Sequence, residues 1–234
     1  MRRRAAIIVF AFAVLSVIVV PVFPHFVSPN EFTRWALASS LVERGTMEVS
    51  QSVAALGPRF EDVASVNGRL YSNKAPGAAL LGTIGYLAAR PFTTSLRALV
   101  NAMRLTASTL PVILLALLLM HLAGRFHRAD RSPIVIAALL FGTPMLAYGL
   151  LLFAHALVAA CLFAAWAFLF VEEHPIAAGA LIGMAVLSEY PAAIPAFILI
   201  AAAATNRDWR RIGKVIAGGV PFAAALALYQ YLCF

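Results

Sequence analysis

The sequence predicts an all-α fold: a polytopic membrane helix bundle of about seven membrane segments, with one long outer loop that contains interfacial helices. Three observations predict it. Of the 234 residues, 62% are hydrophobic and only 12% charged, with a mean hydropathy of +0.89. Soluble domains run at about 45–50% apolar and about 25% charged. The apolar residues form long uncharged runs with short basic clusters between them. One polar stretch, Pro24 to Lys74, breaks the pattern and holds ten of the chain's twenty-eight Asp, Glu, Lys and Arg residues. The net charge of +8 and pI near 10.2 come largely from the basic clusters. Arginines set between apolar runs mark cytoplasmic loops rather than a nucleic-acid face, so no nucleic-acid partner is expected. Cys161 and Cys233 both lie inside apolar runs, which gives neither a disulfide framework nor a metal motif.

The first helix is expected over Ala5–Phe23, behind Arg2, Arg3 and Arg4. It has the look of a signal peptide but no small-x-small cleavage site follows, so it reads as a retained helix with its N-terminus inside. Further apolar runs are Ala75–Ala89, Leu105–Ala123, Pro133–Leu150, Phe153–Val171, Ile176–Ala204 and Val215–Phe234. Ala75–Ala89 decides the topology. At fifteen residues it extends roughly 22 Å, short of a hydrocarbon core of about 30 Å. Laid in the outer interface, it leaves the clusters Arg125, Arg128, Arg131 and Arg207, Arg210, Arg211, Lys214 inside with Arg2–Arg4, as short basic loops require. Ile176–Ala204 is interrupted by Ser188-Glu189-Tyr190-Pro191, where proline disfavours helix. It reads as a hairpin whose tip points outward. The whole chain, 1–234, is then one transmembrane domain: a first helix at 5–23, an outer segment at 24–104 and the remaining helices at 105–234.

Polar residues that could carry chemistry gather in and around the outer segment. Ser28-Pro29-Asn30-Glu31 has the form of a capping box opening a helix that ends near Gly45. The sharper reading of Glu31 is a general base or metal-steering carboxylate at the membrane surface, a role one residue could combine with capping. Asn67-Gly68 signals a tight hairpin turn, whose flanks would fold Asp62 back toward Tyr71 and Lys74. Lys74-Ala75-Pro76 places a cation beside a helix start, either a snorkelling lysine or an anion site for the phosphate of a lipid carrier. His155 and Glu189 are ionisable groups in apolar surroundings, which face a cavity or a partner far more often than lipid. In the preferred topology both fall on the side of the Pro24–Lys74 stretch. The plain readings are a packing hydrogen bond for His155 and a solvated loop tip for Glu189.

The order Pro29-Asn30-Glu31-Phe32-Thr33-Arg34-Trp35, then Asn67-Gly68-Arg69-Leu70-Tyr71-Ser72-Asn73-Lys74-Ala75-Pro76, then Phe153-Ala154-His155 and Ser188-Glu189-Tyr190-Pro191 resembles the GT-C fold of polyprenyl-phosphate-sugar glycosyltransferases. That superfamily includes the protein mannosyltransferases and lipid A aminoarabinose transferases. The resemblance implies transfer of a sugar from a polyprenyl-phosphate carrier to an acceptor glycan, lipid or protein at the outer face of a bacterial cytoplasmic membrane. It implies a catalytic acid in the first outer loop, which falls on Glu31 or on Asn30 according to how the motif is matched. It puts the carrier phosphate at Lys74; on that footing Arg69 and Tyr71 are expected to flank the phosphate, Asn30, Arg34 and Asp62 to shape the substrates, and His155 and Glu189 to shape the acceptor or bind a metal. His155 and Glu189 stand where the superfamily has an Asp and a Lys. A divalent metal is compatible with the resemblance, although no ligand spacing is diagnostic. Members of the superfamily are longer, so the chain is expected to be the N-terminal half of a larger protein. The rival expectations are a non-catalytic assembly subunit or degenerate paralogue of the same fold and, further off, a transporter, for which two related interrupted halves are expected.

Overall fold

The computed structural model of the chain describes residues 2–23, 25–56, 62–128, 130–205 and 207–234. Arg59 and Glu61, two of the loop charges, lie outside them. Helix makes up 77% of the structure, and three helical stretches are long and apolar enough to cross a membrane: Arg3–Val22, Leu96–Arg125 and Trp209–Cys233. Gly77–Ala89, Ser132–Phe141, His155–Phe170, Pro175–Ser188 and Tyr190–Ala204 are apolar but shorter.

Helix α1 (Arg2–Val19) continues as one 3-10 turn through Val22. Helices α2 (Pro29–Arg44) and α3 (Ser50–Leu56) and the strands β1 (Val63–Val66) and β2 (Arg69–Ser72) follow. The strands pair antiparallel, Val63 with Ser72 and Val66 with Arg69. Asn67 (φ 50°) and Gly68 (φ 78°) form the turn between them, the positive-φ pair that Asn-Gly favours. Helices α4 (Gly77–Ala89) and α5 (Leu96–Arg104) make an antiparallel hairpin. They approach closely because Gly82 lies on Met103 and Gly85 on the Ala102 carbonyl.

Helix α5 does not stop at Arg104, where the sequence placed the end of the outer segment. It runs through a π-helical turn, Leu105–Thr109, into α6 (Leu110–Arg125). The continuous stretch of thirty residues is about 45 Å long. Proline in a helix cannot donate and crowds the preceding turn, and the π turn ends at Thr109, two residues before Pro111. Next come α7 (Ser132–Phe141) and α8 (Met145–Leu150), cut from the expected single run by Gly142-Thr143-Pro144. Helices α9 (His155–Phe170), α10 (Pro175–Ser188), α11 (Ala193–Ala204) and α12 (Trp209–Cys233) complete the chain. Helices α10 and α11 fold back on each other, as expected from Pro191: Ala178 and Ala203 are buried in one cluster with Ile212 and Val215. The α10–α12 pair is held tight by Gly179 against the Val215 carbonyl and Gly218 against the Ile176 carbonyl.

In the outer segment between α1 and the bundle, where the sequence expected interfacial helices, α2 to α5 and the β-ribbon pack together as a cap. Residues 31–40 of α2 are all buried. Phe26, Phe32, Trp35, Leu37, Val49, Val100, Met103 and Leu152 form its core, and Tyr229 and Cys233 of α12 join it. At the opposite end, Glu172 meets His121 and Arg125, Arg211 lies over Phe170, and Ala5 of α1 shares a cluster with Ala116. The N-terminal turn, the α6–α7 loop and the α11–α12 loop therefore share one end of the bundle. The cap forms the other.

Candidate functional site

Glu31 sits in the first turn of α2, where Ser28 caps the helix by accepting from the Glu31 amide. Its side chain does not close the capping box expected with Ser28 but accepts from the Val27 amide at 2.7 Å. The other bonds to its carboxylate come from afar: Arg104 Nε and Nη2, each at 2.8 Å, and the Leu152 amide at 2.7 Å. Both side chains are fully buried. Arg104 also donates to Asn101 Oδ1 at 2.9 Å and lies over the Phe23 ring. Glu31 thus ties together the α1–α2 linker, the α5–α6 helix and the irregular segment before α9. Ser108 and Thr109 of the π turn pin that segment further through the Phe153 and Gly149 carbonyls. With four donors on its two oxygens, Glu31 has no site left for an acceptor's proton.

A second layer lies outward of the first. Arg34, one turn after Glu31 and 1% exposed, donates to Asn30 Oδ1 at 2.9 Å and to Glu189 Oε1 at 3.1 Å. His155 Nδ1 lies 3.8 Å from the same Glu189 oxygen. The imidazole is half-exposed, stacked on Phe153 and edge-on to Tyr148. Among the described residues, Glu189 Oε2 has no hydrogen bond, and the side chain is 24% exposed. Burial pulls the Arg34 pKa below its ordinary value, and the charges of Glu189, Asp62 and Glu31, in that order, push it back. Arg34 Nε is buried without a partner among the described residues, as are Thr33 Oγ1 and Trp35 Nε1.

Lys74 pairs with Asp62 at 3.1 Å, both partly exposed. The β1–β2 ribbon brings them together, with Asp62 in a left-handed conformation (φ 71°) at its entrance. The start of α4 beyond Lys74 is not an open anion site. Gly77 packs so tightly on Leu187 and Ser188 that a side chain there would overlap them, and Ala75–Ala79 are buried. That contact brings the Lys74 step beside the Ser188-Glu189 tip.

Of the residues singled out in the sequence, Asn30, Arg34, Glu189 and His155 form one connected group. Asp62 and Lys74 stand close enough for Asp62 to act on Arg34. Arg69 and Tyr71 are not brought to Lys74. Arg69 is at the turn end of the ribbon, pairs with Glu48 at 3.7 Å, and shares a cavity with Tyr71 and the end of α12. Sequence reasoning missed Arg104 and Asn101, which complete the inner layer. The signal was present as an arginine set against a long apolar run with Asn three residues earlier. Among the described residues, no group of three or more His, Cys, Asp and Glu could hold a metal ion. No protein-family model, curated protein or solved structure matches this chain.

Proposed function

We propose that the chain is a membrane glycosyltransferase of the polyprenyl-phosphate-sugar kind, built from seven membrane segments with its N-terminus inside a bacterial cytoplasmic membrane. Its cap and candidate site then face outward. The segments are α1, the α6 part of the long helix, α7 with α8, α9, α10, α11 and α12. Three basic loops at the end opposite the cap support this orientation.

One observation carries the proposal. Glu189 is held through one oxygen by the buried Arg34, has its other oxygen free of hydrogen bonds among the described residues, and stands beside His155 at the tip of the bundle. An oriented, partly exposed carboxylate is what a general base requires. In the transfer, an acceptor hydroxyl or amine attacks the anomeric carbon while Glu189 takes its proton. The bond from that carbon to the phosphate oxygen breaks, and the phosphate leaves beside Lys74. The configuration inverts. Asn30, Arg34, Asp62 and His155 position these groups. Glu31 passes from the role of base to that of the tie beneath them, and Arg69 and Tyr71 take no part.

A second reading, a non-catalytic member of the same fold, is favoured by the sealed environment of Glu31, where the resemblance placed the acid. The deciding experiment is transfer of labelled sugar from a polyprenyl-phosphate donor in membranes containing wild type, Glu189→Gln or Lys74→Ala. Loss of roughly 10²-fold or more is expected for Glu189→Gln. Equal rates in all three would remove both roles. No turnover in wild type, together with stable co-purification of a partner, would favour the second reading.

A further inference from the structure

At the end of the bundle opposite the cap, a cavity of about 410 Å³ opens between α6, α7 and α9. Its floor is apolar and buried, with Leu122 4% and Ile136 0% exposed. Its rim is formed by exposed Arg128, Arg131 and Phe126, with Trp166 on the α9 side. Among the described residues neither Arg128 nor Arg131 has an ion pair or a side-chain hydrogen bond. Two guanidiniums without a partner among the described residues, set over an apolar slot with a tryptophan at the edge of an apolar belt, match an amphiphile with an anionic head and a hydrocarbon tail. Basic pockets between helices hold anionic lipid headgroups in this way, and Trp concentrates at the membrane–water boundary.

We propose that this cavity is a binding site for an anionic phospholipid: its phosphate lies between Arg128 and Arg131, and one acyl chain lies along Leu122 and Ile136. The site is independent of the sugar-transfer reading. It is at the other end of the molecule and uses none of the same residues.

The test is native mass spectrometry of the full chain in a neutral detergent, titrated with phosphatidylglycerol or phosphatidylcholine. Wild type is expected to retain phosphatidylglycerol in preference to phosphatidylcholine. Arg128→Gln with Arg131→Gln should weaken that retention roughly thirtyfold, since each basic residue near an anionic surface contributes on the order of 1 kcal/mol. Arg128→Lys with Arg131→Lys should keep most of it. The charge-neutral Val135→Trp, which fills the cavity from α7, should weaken both lipids, while Arg207→Gln with Arg210→Gln should change neither. Equal retention of the two lipids by wild type would overturn the proposal. So would an equal loss in the Arg207/Arg210 variant, or displacement by soluble glycerol phosphate as effective as by the lipid.

Discussion

At the cap, Glu31, Glu43, Glu48, Asp62 and Glu189 each lie against a cation: Arg104, Arg90, Arg69, Lys74 and Arg34. At the opposite end the cations outnumber the acids. Glu172 serves both His121 and Arg125, Asp208 caps α12 through the Arg211 amide, and Arg128 and Arg131 have no ion pair among the described residues. Charges satisfied inside the chain fix the relative positions of α1, α2, the α5–α6 helix and α10. Charges left over are available to the surroundings. Burial separates the cases further. Glu31 and Arg104 are fully enclosed, whereas Arg125 is more than half exposed. Removing one partner costs far more at the first pair than at the second.

The largest expected effect tests that contrast directly. Arg104→Ala leaves the Glu31 carboxylate buried without its cation and should destabilise the protein by about 3–5 kcal/mol, read as a fall in unfolding midpoint in detergent micelles. Arg125→Ala should change it by less than about 1 kcal/mol. Comparable losses in the two variants would erase the distinction between the ends. The same pair sharpens the transfer proposal. Glu31→Gln is expected to lose stability and activity together. A variant that kept its stability while losing transfer would return the proton-accepting role to Glu31.

A smaller effect is expected where the bundle approaches backbone to backbone. Gly179→Val would drive a side chain into the Val215 carbonyl, forcing α10 and α12 apart at a cost of roughly 1–3 kcal/mol. Glu189 at the end of α10 would move with it, so sugar transfer should fall more steeply than stability. Gly213 has open space around the corresponding position, and Gly213→Ala should be harmless or slightly stabilising, as alanine usually is in a helix interior. A Gly179→Val protein with unchanged unfolding and transfer would show that the close approach is not required.

Local signals were readable without coordinates. Ser28-Pro29 starts α2 and Gly45, at φ 66°, ends it; Asn67-Gly68 turns the ribbon; Pro191 splits α10 from α11. Each depends on a few adjacent residues whose backbone preferences are strong. The placement of the basic loops at one end was also readable, because it rests on charge counted along the chain. The destination of Glu31 was not. Its partners are 73 and 121 positions away, and a carboxylate committed to a buried guanidinium looks in sequence like one free to accept a proton. The close packing of the cap was hidden for a related reason. Helix α2 carries four Arg and Glu residues, and only the pairing of Glu31 and Arg34 with distant residues lets its first ten positions after Asn30 be buried. The same long-range pairing lets one helix run through Arg104, where the start of an apolar run suggested a boundary.

The smallest expected effect lies at the far edge of the cap, where Glu43 receives hydrogen bonds from Arg90 and Tyr86. The Arg90 bond holds the Glu43 pKa below its ordinary 4.5, burial works against it, and the Tyr86 bond adds to the lowering. Burial first, and then Glu43, pushes the Tyr86 hydroxyl up to about 12, so it remains a neutral donor throughout the acid range. A depressed carboxylate pKa contributes stability that is complete above 4.5 and is lost as pH falls through the lower folded value. Arg90 is exposed, so solvent and salt screen the contribution heavily. Melting followed from pH 7 to pH 3 should therefore show wild type losing slightly more stability than Arg90→Ala, with the difference disappearing in 1 M salt. Glu31, sealed beneath the cap, is shielded from that salt, so the Arg104→Ala deficit should persist at 1 M. A deficit that vanished with salt would mean that water reaches the inner layer and that its charges are no more enclosed than those at the rim.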